Sequence, residues 1–132
     1  MPALPKACYP MHRGWHPPLL LREGLSGAVR TLLENGLFLG YFRDVTFSSV
    51  EVPFHQSDWV LLYTDGISEM MDPSQEMFGE ARLKEFLVEH GAPPAAEFSE
   101  SLLKRLSAWS GRASGQDPDD DVTLLSVYFK GR

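Results

Sequence analysis

The stretch 59–69, WVLLYTDGISE, constrains this chain more than any other, and the rest is organised around it. Trp59, Val60, Leu61, Leu62 and Tyr63 form an unbroken apolar run after the polar Ser57 and Asp58. A short apolar run bounded by polar residues reads as a strand buried on both faces. At its end stands Thr64-Asp65-Gly66. A carboxylate at the tip of a buried strand is held rigidly and faces open space beyond the sheet edge. The glycine after it lets the backbone turn sharply and a ligand come close. Hard cations such as Mg²⁺ or Mn²⁺ want oxygen ligands on a rigid frame. An ordinary Asp-Gly turn accounts for the same two residues.

The chain has 132 residues, enough for one domain, and is 43% hydrophobic and 23% charged, a globular balance. No apolar run is long enough to span a bilayer, so no membrane partner is expected. The N-terminus has no apolar core of signal-peptide type. Cys8 is the only cysteine, which excludes an internal disulfide and suggests a reducing cytoplasm. The net charge is −6, from 12 basic and 18 acidic residues, which argues against a general nucleic-acid binder.

Prolines 2, 5 and 10 make residues 1–13 an irregular N-terminal segment. His16-Pro17-Pro18 leads into Leu19-Leu20-Leu21, read as a short strand. His16 is either a ligand or acid, or a structural histidine. Gly24 and Gly27 supply a turn, and residues 28–34 a returning strand or a short helix. Gly36-Leu37-Phe38-Leu39-Gly40 reads as an ordered loop without the spacing of a phosphate loop. Residues 45–54 alternate apolar and polar and are read as a strand, antiparallel to 59–64 because the connection is too short to cross over. Asp72-Pro73-Ser74 marks a loop. Leu83, Phe86, Leu87 and His90 fall on one helical face, with Glu80 four residues before Lys84 and Gly91 as the stop. A second helix over 95–109 carries Phe98, Leu102, Leu106 and Trp109, a Glu100–Lys104 pair, and Gly111 at its end. The fold class is therefore α+β, an antiparallel sheet with helices packed on its outside.

The segment 117–121, DPDDD, places four carboxylates in five residues directly before the apolar strand 122–129. It is either a solvated loop or a group that a cation relieves. If strands 59–64 and 122–129 are antiparallel neighbours, Asp65 and Asp120 meet at one sheet edge.

Five segments in order resemble one family. They are Gly14-Trp15-His16-Pro17-Pro18, the Gly36 to Gly40 loop, Leu61-Leu62-Tyr63-Thr64-Asp65-Gly66, Phe78-Gly79-Glu80-Ala81-Arg82-Leu83 and Asp120-Asp121-Val122-Thr123-Leu124-Leu125. The chain resembles the C-terminal part of the PPM-type metal-dependent Ser/Thr protein phosphatases. It is most similar to the bacterial branch of stage II sporulation protein E and the sigma-factor regulator phosphatases. The resemblance implies part of an α-β-β-α sandwich, and a site of two Mg²⁺ or Mn²⁺ ions holding a water that attacks a phosphoserine or phosphothreonine. Carried over by motif, it implies that Asp65 and Asp120 are metal ligands and Gly66 the turn of the Tyr-Thr-Asp-Gly motif. Asp121 and Glu69 are supporting groups.

The departures are as informative. The family's first metal-binding carboxylates lie in its N-terminal half, and Asp44 and Asp58 are not in that motif. Trp15 replaces a small residue. Residues 1–132 are accordingly expected to be one partial domain, poorly active or inactive alone. The alternatives are a non-catalytic module binding a sigma-regulatory partner, and an unrelated α+β domain with a calcium-binding acidic loop. A half-sandwich leaves an apolar sheet face uncovered, which predicts a homodimer or a sticky surface unless the missing N-terminal half covers it. A single-chain mass by gel filtration, without hydrophobic-dye binding, would contradict this.

Overall fold

The computed structural model describes residues 17–32, 43–44, 51–91, 94–112 and 116–130. Along the chain run β1 (Leu19–Arg22), β2 (Val29–Leu32), β3 (Trp59–Tyr63), α1 (Asp65–Ser68), α2 (Gly79–His90), α3 (Ala95–Ser110) and β4 (Leu124–Tyr128). The four strands form one antiparallel sheet in the order β2-β1-β3-β4. The apolar run 59–63 is indeed buried, and lies inside the sheet between β1 and β4.

Strand alternation separates the two faces of the sheet. Leu20, Trp59, Leu61 and Tyr63 join Leu83, Phe86 and Leu87 of α2 and Phe98, Leu102 and Leu106 of α3 in one core. Trp59 lies between Phe98 and Tyr128, with ring centroids 5.2 Å and 5.4 Å away. On the opposite face Leu21 pairs across to Val60, and Val60 to Val127. Leu21 and Val60 are buried, while Leu125 and Val127 are 55% and 36% exposed. A second sheet, expected for a complete sandwich, is not among the described residues.

Both helices carry their expected apolar faces, except that His90 is exposed and its ring lies against Phe86, 4.3 Å between centroids. The Glu80–Lys84 ion pair forms at 2.6 Å. No Glu100–Lys104 pair forms among the described residues; both side chains are exposed, where such pairs contribute little. Gly111 ends α3 in the left-handed conformation at φ 63°.

One expectation is corrected. Residues 51–54 are not strand, and the partners of β3 are β1 and β4 rather than 45–54. Pro53 lacks the N–H that a ladder needs, and the two flanking strands already take the hydrogen bonds of β3. Phe54 instead stacks on Phe129 at 4.6 Å. Residues 45–50, the irregular N-terminus, His16 and the Gly36 to Gly40 loop lie outside the described residues.

Asp58 locks the entry to β3. Its carboxylate accepts the backbone N–H of Gly24 at 2.9 Å and that of His55 at 2.7 Å, tying the β1–β2 turn to the turn before β3. Burial opposes its ionised form, but those two N–H groups and the adjacent His55 outweigh it and hold the carboxyl below its usual value. Asp58→Ala should therefore cost about 2 kcal/mol in a urea melt, because two donors lose their charged acceptor. A lowered folded-state pKa means that stabilisation present above the unfolded value of 3.8 is lost as pH falls through the folded one. The wild-type melting temperature should fall more steeply than that of Asp58→Asn in that acid range.

Candidate functional site

The register Tyr63↔Leu124 sets the end of β3 beside the start of β4. The last ladder bond runs from the Thr64 N–H to the Thr123 carbonyl, 3.1 Å. Beyond it the Thr64 carbonyl accepts the Ile67 N–H at 3.0 Å and opens the single turn of α1. The Thr64 hydroxyl accepts the Thr123 N–H at 3.0 Å and donates to the Asp121 carbonyl at 3.2 Å. The sharp turn expected at Asp65-Gly66 is thus a helical turn anchored to the other strand.

Asp65 is the half-buried first residue of that turn, and Gly66 after it is buried. A Cβ on Gly66 would overlap the Asp121 carbonyl oxygen, so only glycine allows this approach. Asp120 is exposed, and its carboxylate accepts the Asp121 N–H at 2.8 Å. Asp65-Gly66 and Asp120-Asp121 therefore lie against each other at one sheet edge. Asp121 takes part through its backbone, while its side chain faces solvent. Glu69 is exposed at the end of α1, where its N–H donates to the Asp65 carbonyl at 2.7 Å.

A cleft of about 350 Å³ opens beside this edge, with Gly66, Glu69, Asp72, Arg112, Asp119 and Asp120 in its wall; Asp65 does not line it. Arg112, just past the end of α3, donates to the Asp117 carbonyl and pairs with the Asp119 carboxylate. It supplies a counter-charge to the acidic segment, a partner that the spacing of 117–121 does not reveal. Across the cleft, the Asp72 carboxylate gathers the N–H groups of Ser74 and Glu76, each at 2.9 Å, and the Ser74 hydroxyl at 2.8 Å. The Glu76 N–H and the Ser74 groups hold the Asp72 carboxyl below its usual value. Tyr63, two residues before Asp65, stays neutral: burial pushes its hydroxyl up, and the charge of Glu80 adds to that.

The donor chemistry fits a hard divalent cation. Two carboxylates at neighbouring strand ends are what Mg²⁺ commonly takes from protein, with water completing the shell. Among the described residues no group of three or more His, Cys, Asp or Glu converges.

A family model for stage II sporulation protein E (SpoIIE) matches residues 7–130. The chain belongs to that family. Among curated proteins it is 32% identical over 110 residues to phosphoserine phosphatase RsbP of Bacillus subtilis, covering 83% of this chain and 25% of RsbP. It is 26% identical over 113 residues to protein IcfG of Synechocystis, covering 86% of this chain and 17% of IcfG. The SiaA-PP2C domain of Pseudomonas aeruginosa shares its fold, with a TM-score of 0.69 and 24% identity over 85% of this chain and 43% of that one. The chain thus spans a quarter or less of these curated relatives and under half of the solved domain.

Two residues of the site escaped sequence reading. Thr64 lay inside the Tyr-Thr-Asp-Gly motif without an assigned role. Arg112 reaches acidic residues five and seven positions on across a loop, where no periodicity applies. Gly66→Ala should cost about 1–3 kcal/mol in denaturant melts, because the new methyl must push Asp121 away. Stability equal to wild type would mean that the two segments are not in contact.

Proposed function

We propose that this chain is the C-terminal portion of a metal-dependent protein serine/threonine phosphatase domain. It acts on phosphoserine or phosphothreonine of a regulatory protein in bacterial signalling, in the cytoplasm. The observation that carries this reading is the β3–β4 register, which sets Asp65 and Asp120 at one edge with Gly66 against Asp121. In this reading Asp65 and Asp120 hold Mn²⁺ or Mg²⁺, while Gly66, Asp121 and Glu69 support them. Bound there, the ion would supply Lewis acidity toward a phosphoryl oxygen and lower the pKa of a water. The chain itself contributes backbone rigidity: α1 and the ladder hold the backbone at Asp65, and the Thr64 bridge to Asp121 and Thr123 holds the backbone beside Asp120. Family membership and the likeness to a phosphoserine phosphatase support the substrate class.

The second reading is a module that binds a sigma-regulatory partner without hydrolysis. It is favoured by the lack, among the described residues, of a third converging ligand. In either case residues 1–132 act as one partial domain. The apolar face carrying Leu125 and Val127 is then met by a second copy or by the N-terminal half of such a domain.

Calorimetric Mn²⁺ titration tests the metal reading, with p-nitrophenyl phosphate turnover followed in the same samples. Asp65→Asn and Asp120→Asn should each weaken binding on the order of 100-fold at unchanged fold. Binding with turnover in the wild type supports the phosphatase. Binding without turnover supports the module, and wild-type affinity in both variants removes the metal assignment.

A further inference from the structure

In a regular antiparallel ladder every other opposed pair exchanges both of its backbone hydrogen bonds, and the Thr64 N–H to Thr123 bond puts Thr64 and Thr123 at such a position. Thr64 and Thr123 exchange only one, from the Thr64 N–H to the Thr123 carbonyl. The return bond is missing because the Thr64 carbonyl has turned away to accept the Ile67 N–H. That rotation starts α1 and carries Asp65 off the strand. Without a substitute, the exposed Thr123 N–H would turn to water and β4 would lose one link to β3 at this end. The Thr64 hydroxyl is the substitute. It accepts the Thr123 N–H in place of its own carbonyl, and its proton goes on to the Asp121 carbonyl.

We infer that the Thr64 hydroxyl is a positioning group that extends the β3–β4 ladder one step past its backbone end and thereby sets the spacing of Asp65 and Asp120. The residue before the first carboxylate holds the residue after the second. Gly66 is keyed to the same oxygen from the other side, since its bare Cα leaves room for the Asp121 carbonyl. The inference rests on the proposed metal role of Asp65 and Asp120 for its functional consequence, and on geometry alone for the bridge. A threonine suits the position. Its β-branched side chain is stiff about χ1, so the hydroxyl is presented in one direction. Valine keeps that shape and loses both hydrogen bonds, whereas serine keeps the hydroxyl.

The test compares wild type, Thr64→Val and Thr64→Ser by Mn²⁺ calorimetry, melting temperature and amide hydrogen exchange at Thr123. Thr64→Val should lose at least about tenfold in Mn²⁺ affinity, the usual scale for a group that orients a ligand. It should also lose protection at the Thr123 amide, with the helices intact by circular dichroism. Thr64→Ser should stay close to wild type in both. Equal Mn²⁺ affinity in wild type and Thr64→Val overturns the inference, as does a loss in Thr64→Ser as large as in Thr64→Val. If Thr64→Val does not fold, Thr64→Ala against Thr64→Ser makes the same comparison. A wild-type chain that binds no Mn²⁺ removes the metal reading instead. Exchange then decides alone, and unchanged Thr123 protection in Thr64→Val overturns the bridge.

Discussion

Everything else in this structure depends on β3 being hydrogen-bonded along both edges and covered on its helix side. A strand so placed has no freedom of register, because a one-residue slip would exchange Trp59, Leu61 and Tyr63 for Val60 and Leu62 at the core. Its two ends are consequently the most precisely located points in the fold. Both carry an aspartate, with opposite fates. Asp58 is buried and satisfied by backbone N–H groups, so it works as a clasp. Asp65 is half-buried at an open edge and makes its helical turn through the backbone. The same residue type is structural at one end of a strand and available at the other.

The open end resolves a conflict between two backbone demands. The ladder wants the Thr64 carbonyl for Thr123, and the helical turn wants it for Ile67. The turn takes it, and a side-chain hydroxyl restores the bond that the ladder lost. Beside it, the acidic segment is held by Arg112 rather than left to repel itself. Asp119, which takes that ion pair, is almost fully exposed, so the pair orders the loop more than it stabilises the fold. Asp120 is left without an opposite charge among the described residues.

Membership of the SpoIIE family and the fold shared with the SiaA-PP2C domain agree with this geometry. Under half of the solved domain corresponds to this chain. The described residues correspondingly build one sheet with helices on one side. On its other face Leu21 and Val60 are buried, while Leu125 and Val127 stay partly exposed.

The sequence by itself determined the buried strand, both long helices and their stop signals, and it left the meeting of the two acidic motifs conditional on the pairing of β3 with β4. The strand, the helices and their stops each follow from a local period or a short motif: 59–63, the spacing of Leu83, Phe86 and Leu87, and the glycines at 91 and 111. What only the tertiary structure decided are the matters of competition between distant groups. The expected pairing of 59–64 with 45–54 is not made because β1 and β4, nearly 40 residues before and over 60 after, take both edges of β3. Arg112, Thr64 and Asp58 took their roles from partners that no periodicity connects. A residue's preference is written in its neighbours along the chain, whereas which of two hydrogen-bond partners it keeps depends on what else the fold brings within reach.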